Sequence, residues 1–211
     1  PGAAATRSII RSANMKFDII RPAVIVGLAC TAVSVALAEA VTYEIDSNHT
    51  YPSFEADHMG GLSKWRGKIN STSGSITLDK EAQTGTVEVS MDMTSIDFGH
   101  DGLNDHAKTA DMFNVAEFPT AEYTGELVDW QDGAPTAVDG MLTLRGTSQP
   151  VRLDILSFKC QNHPQQGREV CGADAVAEIN RADFGVDFGQ NFGFDMGVTL
   201  RIQVEALALP N

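Results

Sequence analysis

The chain has 211 residues, 43% of them hydrophobic, 20% charged and 7% aromatic, with a formal charge of −13. That length and apolar fraction support a domain with a substantial core, and no Pro-, Gly- or Ser-rich linker divides the sequence. An acidic surface is repelled by phosphate backbones and anionic lipids, which argues against nucleic acid as a partner and against membrane attachment by charge.

Residues 1–14 carry no folding signal and read as upstream sequence ahead of a start at Met15. Residues 15–40 have the grammar of a signal peptide: Lys16 and Arg21 supply a positive region, 22–37 an apolar run, and Ala38 and Ala40 a small-residue cleavage site. The run of about 16 residues falls short of the ~20 needed to span a bilayer. Cleavage is expected before Val41, leaving one exported domain, 41–211, with 11 basic and 26 acidic side chains and a formal charge of −15. Cys30 sits in the apolar run without the Gly or Ser that follows a lipoprotein cysteine, so it is expected to leave with the signal.

Strand patterns then follow one another. Alternation or β-branched enrichment marks 41–45, 51–58, 75–78, 86–92, 121–128, 138–145, 151–160, 173–179 and 197–207, an expected eight or nine strands. In 86–92, Val87, Val89 and Met91 share one face and Glu88, Ser90 and Asp92 the other, as in a half-buried antiparallel strand. One helix is predicted over 102–112, capped by Asp101. Evenly spaced strands, many glycines and a single helix predict an all-β, closed barrel, with a two-sheet sandwich as the competing arrangement. The glycine-dense stretch 185–197 reads as a flexible or closely packed loop.

Two cysteines follow Val41, Cys160 and Cys171, with ten residues between them that include the turn formers Asn162, Pro164 and Gly167. An even count in an exported chain predicts a disulfide across a hairpin, stabilising by about 3 kcal/mol. The C-x-x-C spacing of a redox dithiol is absent.

The sequence offers no catalytic set. His100 and His106 stand six apart, no H-x-x-x-H or H-x-E pattern occurs, and there is no G-x-S-x-G elbow or phosphate-binding glycine loop. Acidic residues are too numerous for any pair to mark general acid–base chemistry. No metal, no cofactor and no enzymatic activity are expected. Large apolar residues, however, gather where strands meet loops, among them Phe54, Met59, Leu62, Trp65, Phe98, Met112, Phe113, Phe118, Phe184, Phe188, Phe192 and Phe194. An eight-stranded barrel encloses either packed side chains or one small ligand, and these residues serve either outcome.

Five blocks carry a family resemblance: YEIDSNHTYPSFEADHMGGLSKWRGKI, SIDFGHDGLNDHAKTADMFNVAEFPTAEYTG, VDGMLTLRGTSQPVRLDI, INRADFGVD and GVTLRIQVEAL. In order and spacing they resemble the YceI-like family, the lipocalin-like polyisoprenoid-binding proteins. The resemblance implies a periplasmic, extended eight-stranded antiparallel lipocalin-like β-barrel with a short helix near its mouth. It further implies a tunnel that sequesters or transports a long-chain amphiphile such as a polyisoprenoid, an isoprenoid quinone or a fatty-acid-like lipid. Residues matching the family's motifs include His58, Trp65, Gly67, Phe113, Pro119, Asn180, Arg181 and Phe184. The ligand is accordingly expected beside Phe54, His58, Met59, Leu62, Trp65, Ile69, Phe98, Leu103, His106, Met112, Phe113, Phe118, Asn180, Arg181 and Phe184. His58, His106, Asn180 and Arg181 are the candidate headgroup partners, with Arg181 best suited to anionic oxygen. Ile69 stands where the family usually has an aromatic and Ala107 where leucine is common, both still apolar. A homodimer through an exposed edge and, for a quinone ligand, a membrane cytochrome are further partners to consider. An enzyme acting on a lipid-like substrate and a solidly packed interaction module stay open as alternatives.

Overall fold

The computed structural model describes residues 1, 2, 4 and 39–210. The expected upstream extension (1–14) and signal segment (15–40) lie almost wholly outside the described residues.

Eleven strands form a single antiparallel sheet: β1 (Val41–Ile45), β2 (Ser53–His58), β3 (Ser63–Ile69), β4 (Thr72–Asp79), β5 (Thr84–Asp92), β6 (Ile96–Asp97), β7 (Thr120–Val128), β8 (Ala137–Leu144), β9 (Thr147–Asn162), β10 (Glu169–Asn180) and β11 (Gly197–Ala208). The ring β1-β4-β5-β7-β8-β9-β10-β11 closes through pairing of β11 with β1. Beyond β1, the other half of β11 pairs with β2, which carries β3 and then β6. Thus β1 with β2, β3 with β4, and β5 with β6 are each one stave broken in the middle, and the molecule is an eight-stave closed barrel. Closure removes the open edges that strands as long as β9 would otherwise present.

Nine strand segments were legible from alternation; β3 and β6 were not. In β3 the alternation is real, with Lys64, Arg66 and Lys68 set against Trp65, Gly67 and Ile69, but it reads as a turn because Gly67 interrupts it. The glycine is there for space: a Cβ at residue 67 would come within 2.5 Å of the Phe54 ring. The two-residue β6 is too short to leave any pattern.

The helix α1 spans Asp101–Lys108, shorter than its expected range of 102–112. Its cap is His100, whose Nδ1 accepts from the Leu103 N–H at 3.3 Å, and not Asp101, which instead sits in the first turn where the helix dipole favours a carboxylate. Thr109 ends it, folding to extended backbone while its hydroxyl donates to the His106 carbonyl at 2.8 Å.

The staves leave one gap. β7 pairs with β5 but not with β6, and α1 lies against β6 there. A local core of Ile69, Met93, Ile96, Ala107, Val115 and Ala121 seals the join. Ala107 is fully buried, so the small side chain lets the helix approach the sheet closely. At the opposite end the β9–β10 hairpin carries Cys160 and Cys171 as a directly opposed pair, joined in a disulfide as expected. Beside it the Tyr43 hydroxyl donates to Glu169 at 2.5 Å, and Lys80 pairs with the same carboxylate at 2.7 Å.

Candidate ligand-binding site

Successive side chains on a strand point to opposite faces, so each stave contributes every second residue to the interior. The inward row of β5 is Val87, Val89 and Met91; β9 gives Val151, Leu153 and Ile155; β11 gives Val198, Leu200, Ile202 and Val204. On β10 two of the cavity-lining positions are small, Ala173 and Ala175, where bulkier residues would fill the centre, and the third is Ile179. The result is a hollow interior: a cavity of about 390 Å³ runs from Phe158 and Leu127 near the disulfide end to Trp65 and Phe188 at the helix end. That volume is within the range of sites that hold small molecules.

The helix end is built from aromatic pairs. His58 stacks on Trp65 with ring centroids 4.2 Å apart, Phe194 meets His58 edge-on at 5.4 Å, and Phe188 meets His106 edge-on at 4.8 Å. Deeper, Phe54 and Phe98 form a T-shaped pair at 5.4 Å. Asp57 ties the turn after β2 to the loop before β11. Its carboxylate accepts from the Gly61 N–H at 2.6 Å and from those of Gly60 and Asp195 at 2.9 Å. The Asp195 amide, with those of Gly61 and Gly60, holds the Asp57 carboxyl below the usual aspartate range against the opposing effect of desolvation.

Arg181 lines the cavity yet is only 9% exposed. Its Nη1 donates to the Val186 carbonyl at 2.6 Å and its Nη2 to the Phe188 carbonyl at 2.8 Å. Burial pulls the guanidinium below its ordinary pKa, while the charges of Asp187, Asp57 and Asp195 resist the change. Its fork therefore holds the 185–197 loop as a lip over the cavity. Arg145 does the same from outside, donating to the carbonyls of Gly185 and Ala110.

Ten of the sequence-derived site residues line this cavity: Phe54, His58, Trp65, Ile69, Phe98, Leu103, His106, Met112, Phe113 and Arg181. Five do not. Met59 and Leu62 project from the turn after β2, 57% and 72% exposed. Phe118 packs over Gly146 in the β8–β9 turn. The Asn180 side chain accepts from the Ala182 N–H at 3.0 Å, capping a short 3-10 turn, and Phe184 is buried in the wall core. Sequence reading overlooked the plain aliphatic lining of β8 to β11, although its period of two was visible; a valine facing a hollow and one facing a packed core look alike. Among the described residues, one group of three metal-ligating side chains comes together, Cys160, Glu169 and Cys171, and both sulfurs are spent in the disulfide.

A closed antiparallel barrel of eight staves around an apolar hollow, with one short helix at its mouth, defines the lipocalin-like class of β-barrel. Residues 43–206 match the model of the YceI-like domain, and the chain belongs to the YceI-like family. It is 31% identical over 156 residues to Protein YceI of Escherichia coli O157:H7, covering 72% of this chain and 80% of that protein. Among solved structures it is similar to Burkholderia cenocepacia BcnA (TM-score 0.61, 19% identity, 77% of this chain and 99% of the other). It is also similar to a polyisoprenoid binding domain from Saccharophagus degradans implicated in plant cell wall breakdown (TM-score 0.57, 18% identity, 80% and 99%).

Proposed function

We propose that the barrel holds the tail of a long-chain apolar amphiphile, a polyisoprenoid, an isoprenoid quinone or a fatty-acid-like lipid, and sequesters or carries it in the periplasm without making or breaking bonds. The observation that carries this reading is the continuous apolar cavity, about 390 Å³, where a protein of this size could have packed its own side chains. Each methylene transferred into it is worth up to ~0.8 kcal/mol before ordering costs are subtracted. The polyisoprenoid-binding character of the Saccharophagus degradans domain agrees with this choice of ligand class. The disulfide fits an oxidising compartment, consistent with the periplasm. The lining offers His58, His106, Asp57, Tyr123 and Arg181 as its ionisable groups, and the last three are engaged with backbone, which leaves no acid–base pair evident for catalysis.

The test is organic extraction and mass analysis of protein purified from its own host. A near-stoichiometric apolar amphiphile is expected. Recovery of none, together with failure to take up added polyprenols or quinones, would overturn the proposal.

A further inference from the structure

A second cleft opens on the flank of the barrel, between β3 and the segment 98–106. It is lined by Lys64, Trp65, Arg66, Phe98, His100 and Leu103, with Gly102 and His106 at its margin. No carboxylate lines it, although acidic residues outnumber basic ones 26 to 11 after Val41. Four of its residues, Trp65, Phe98, Leu103 and His106, also line the barrel cavity. The cleft thus shares an apolar wall with the barrel cavity and carries cationic side chains on its outer side.

We infer that this cleft seats an anionic headgroup, a phosphate or carboxylate, of the amphiphile whose tail lies in the barrel. The inference rests on the proposed ligand class and adds the charge and position of the head.

The donors are in place. On the side away from β2, β3 pairs only at Lys68 and Ile69, so along Lys64–Arg66 that edge of the strand has no strand partner among the described residues and presents its backbone donors to the cleft. Lys64 makes no ion pair among the described residues. Arg66 spends its Nε on Glu55 at 3.0 Å, which leaves its terminal amino groups for an oxyanion. His100 accepts the Leu103 N–H through Nδ1, which makes Nε2 the protonated, donating nitrogen. The two arginines nearer the mouth cannot serve the headgroup in the same way, because Arg181 and Arg145 are both committed to backbone carbonyls. The headgroup role that sequence assigned to Arg181 thus passes to Lys64 and Arg66, the exposed cations beside the shared wall.

The experiment compares farnesyl monophosphate, farnesol and inorganic phosphate on the whole exported domain, read by tryptophan fluorescence and calorimetry. Wild-type protein is expected to bind the monophosphate at least about tenfold more tightly than the alcohol, ~1.4 kcal/mol, with the preference shrinking in high salt. The double variant Lys64→Gln/Arg66→Gln should lose that preference while binding farnesol unchanged and melting within a few degrees of the wild type, since it gives up only the exposed Arg66–Glu55 pair. Equal affinity for the two lipids, or a preference that survives removal of both charges, would overturn the inference while leaving the barrel reading intact. So would inorganic phosphate competing as well as the lipid phosphate, which would mark a free-anion site. Failure of farnesol and its phosphate alike would sink both readings.

Discussion

The imidazole of His58 lies on the indole of Trp65, centroids 4.2 Å apart and planes 18° from parallel. The two residues are diagonal neighbours across β2 and β3, since Trp65 is opposite Ala56 and His58 is opposite Ser63, so they share the inner face of the sheet. Trp65 lines both the barrel cavity and the flank cleft, and His58 lines the cavity alone.

Replacing His58 by alanine should therefore cost about 1 kcal/mol of stability, the usual worth of an aromatic pair beyond its area. It should also shift the emission of Trp65 to the red as water reaches the exposed indole face. Denaturant titration and fluorescence of the variant check both, and unchanged emission would mean that the stack does not shield the ring.

The hollow depends on small residues on β10. Ala175→Phe places a ring where the cavity runs, so the variant should lose most of its capacity for apolar ligand, read by lipid extraction, while its melting temperature stays within a few degrees of wild type. In a packed core the same change costs roughly 1–3 kcal/mol through strain. A large fall in melting temperature would thus mean that the centre is already full.

Arg181→Met keeps the apolar stem and removes the fork, orphaning the carbonyls of Val186 and Phe188. The expected loss is about 3 kcal/mol, because hydrogen bonds to a charged group are worth more than neutral ones and the Val186 carbonyl is left buried without its donor. Arg181→Lys should rescue little of it, as an ammonium lacks the planar fork. Hydrogen exchange of the 185–197 amides separates a local loosening of the lip from global unfolding.

Asp57 makes the mouth acid-sensitive. Its carboxyl is depressed in the folded state by the amides of Asp195, Gly61 and Gly60. The stabilisation is therefore complete above the unfolded aspartate pKa of about 3.9 and is lost as pH falls through the lower folded value. Amide resonances of Gly60, Gly61 and Asp195 followed down through that range should move together, and Asp57→Asn should flatten the response.

The disulfide closes a loop with a sequence separation of 11 and ties the hairpin farthest from α1. Cys160→Ser/Cys171→Ser should lose about 3 kcal/mol in chemical denaturation, the chain-entropy value for so short a loop. Affinity at the helix end should not change, because the bond lies at the opposite end of the barrel.

Sequence by itself determined the strand faces, the barrel class and the cysteine pair. Periodicity of two is a local consequence of the pleat, so Val87, Val89 and Met91 announced an inner face without knowledge of what faced them. It also drew Phe54, His58, Trp65, Phe98 and His106 into one site, because large apolar and aromatic residues at strand ends recur within the motif blocks. Tertiary structure alone decided whether that inner face met itself or a void, since volume at the centre depends on how eight staves space their side chains and not on any one stave. It decided too that Arg181 serves backbone carbonyls made available by a loop seven residues away, and that β3 leaves half an edge unpaired beside α1. The open edge depends on segments far apart in the chain and the arginine's partners on how the 185–197 loop folds back, and no local pattern encodes either.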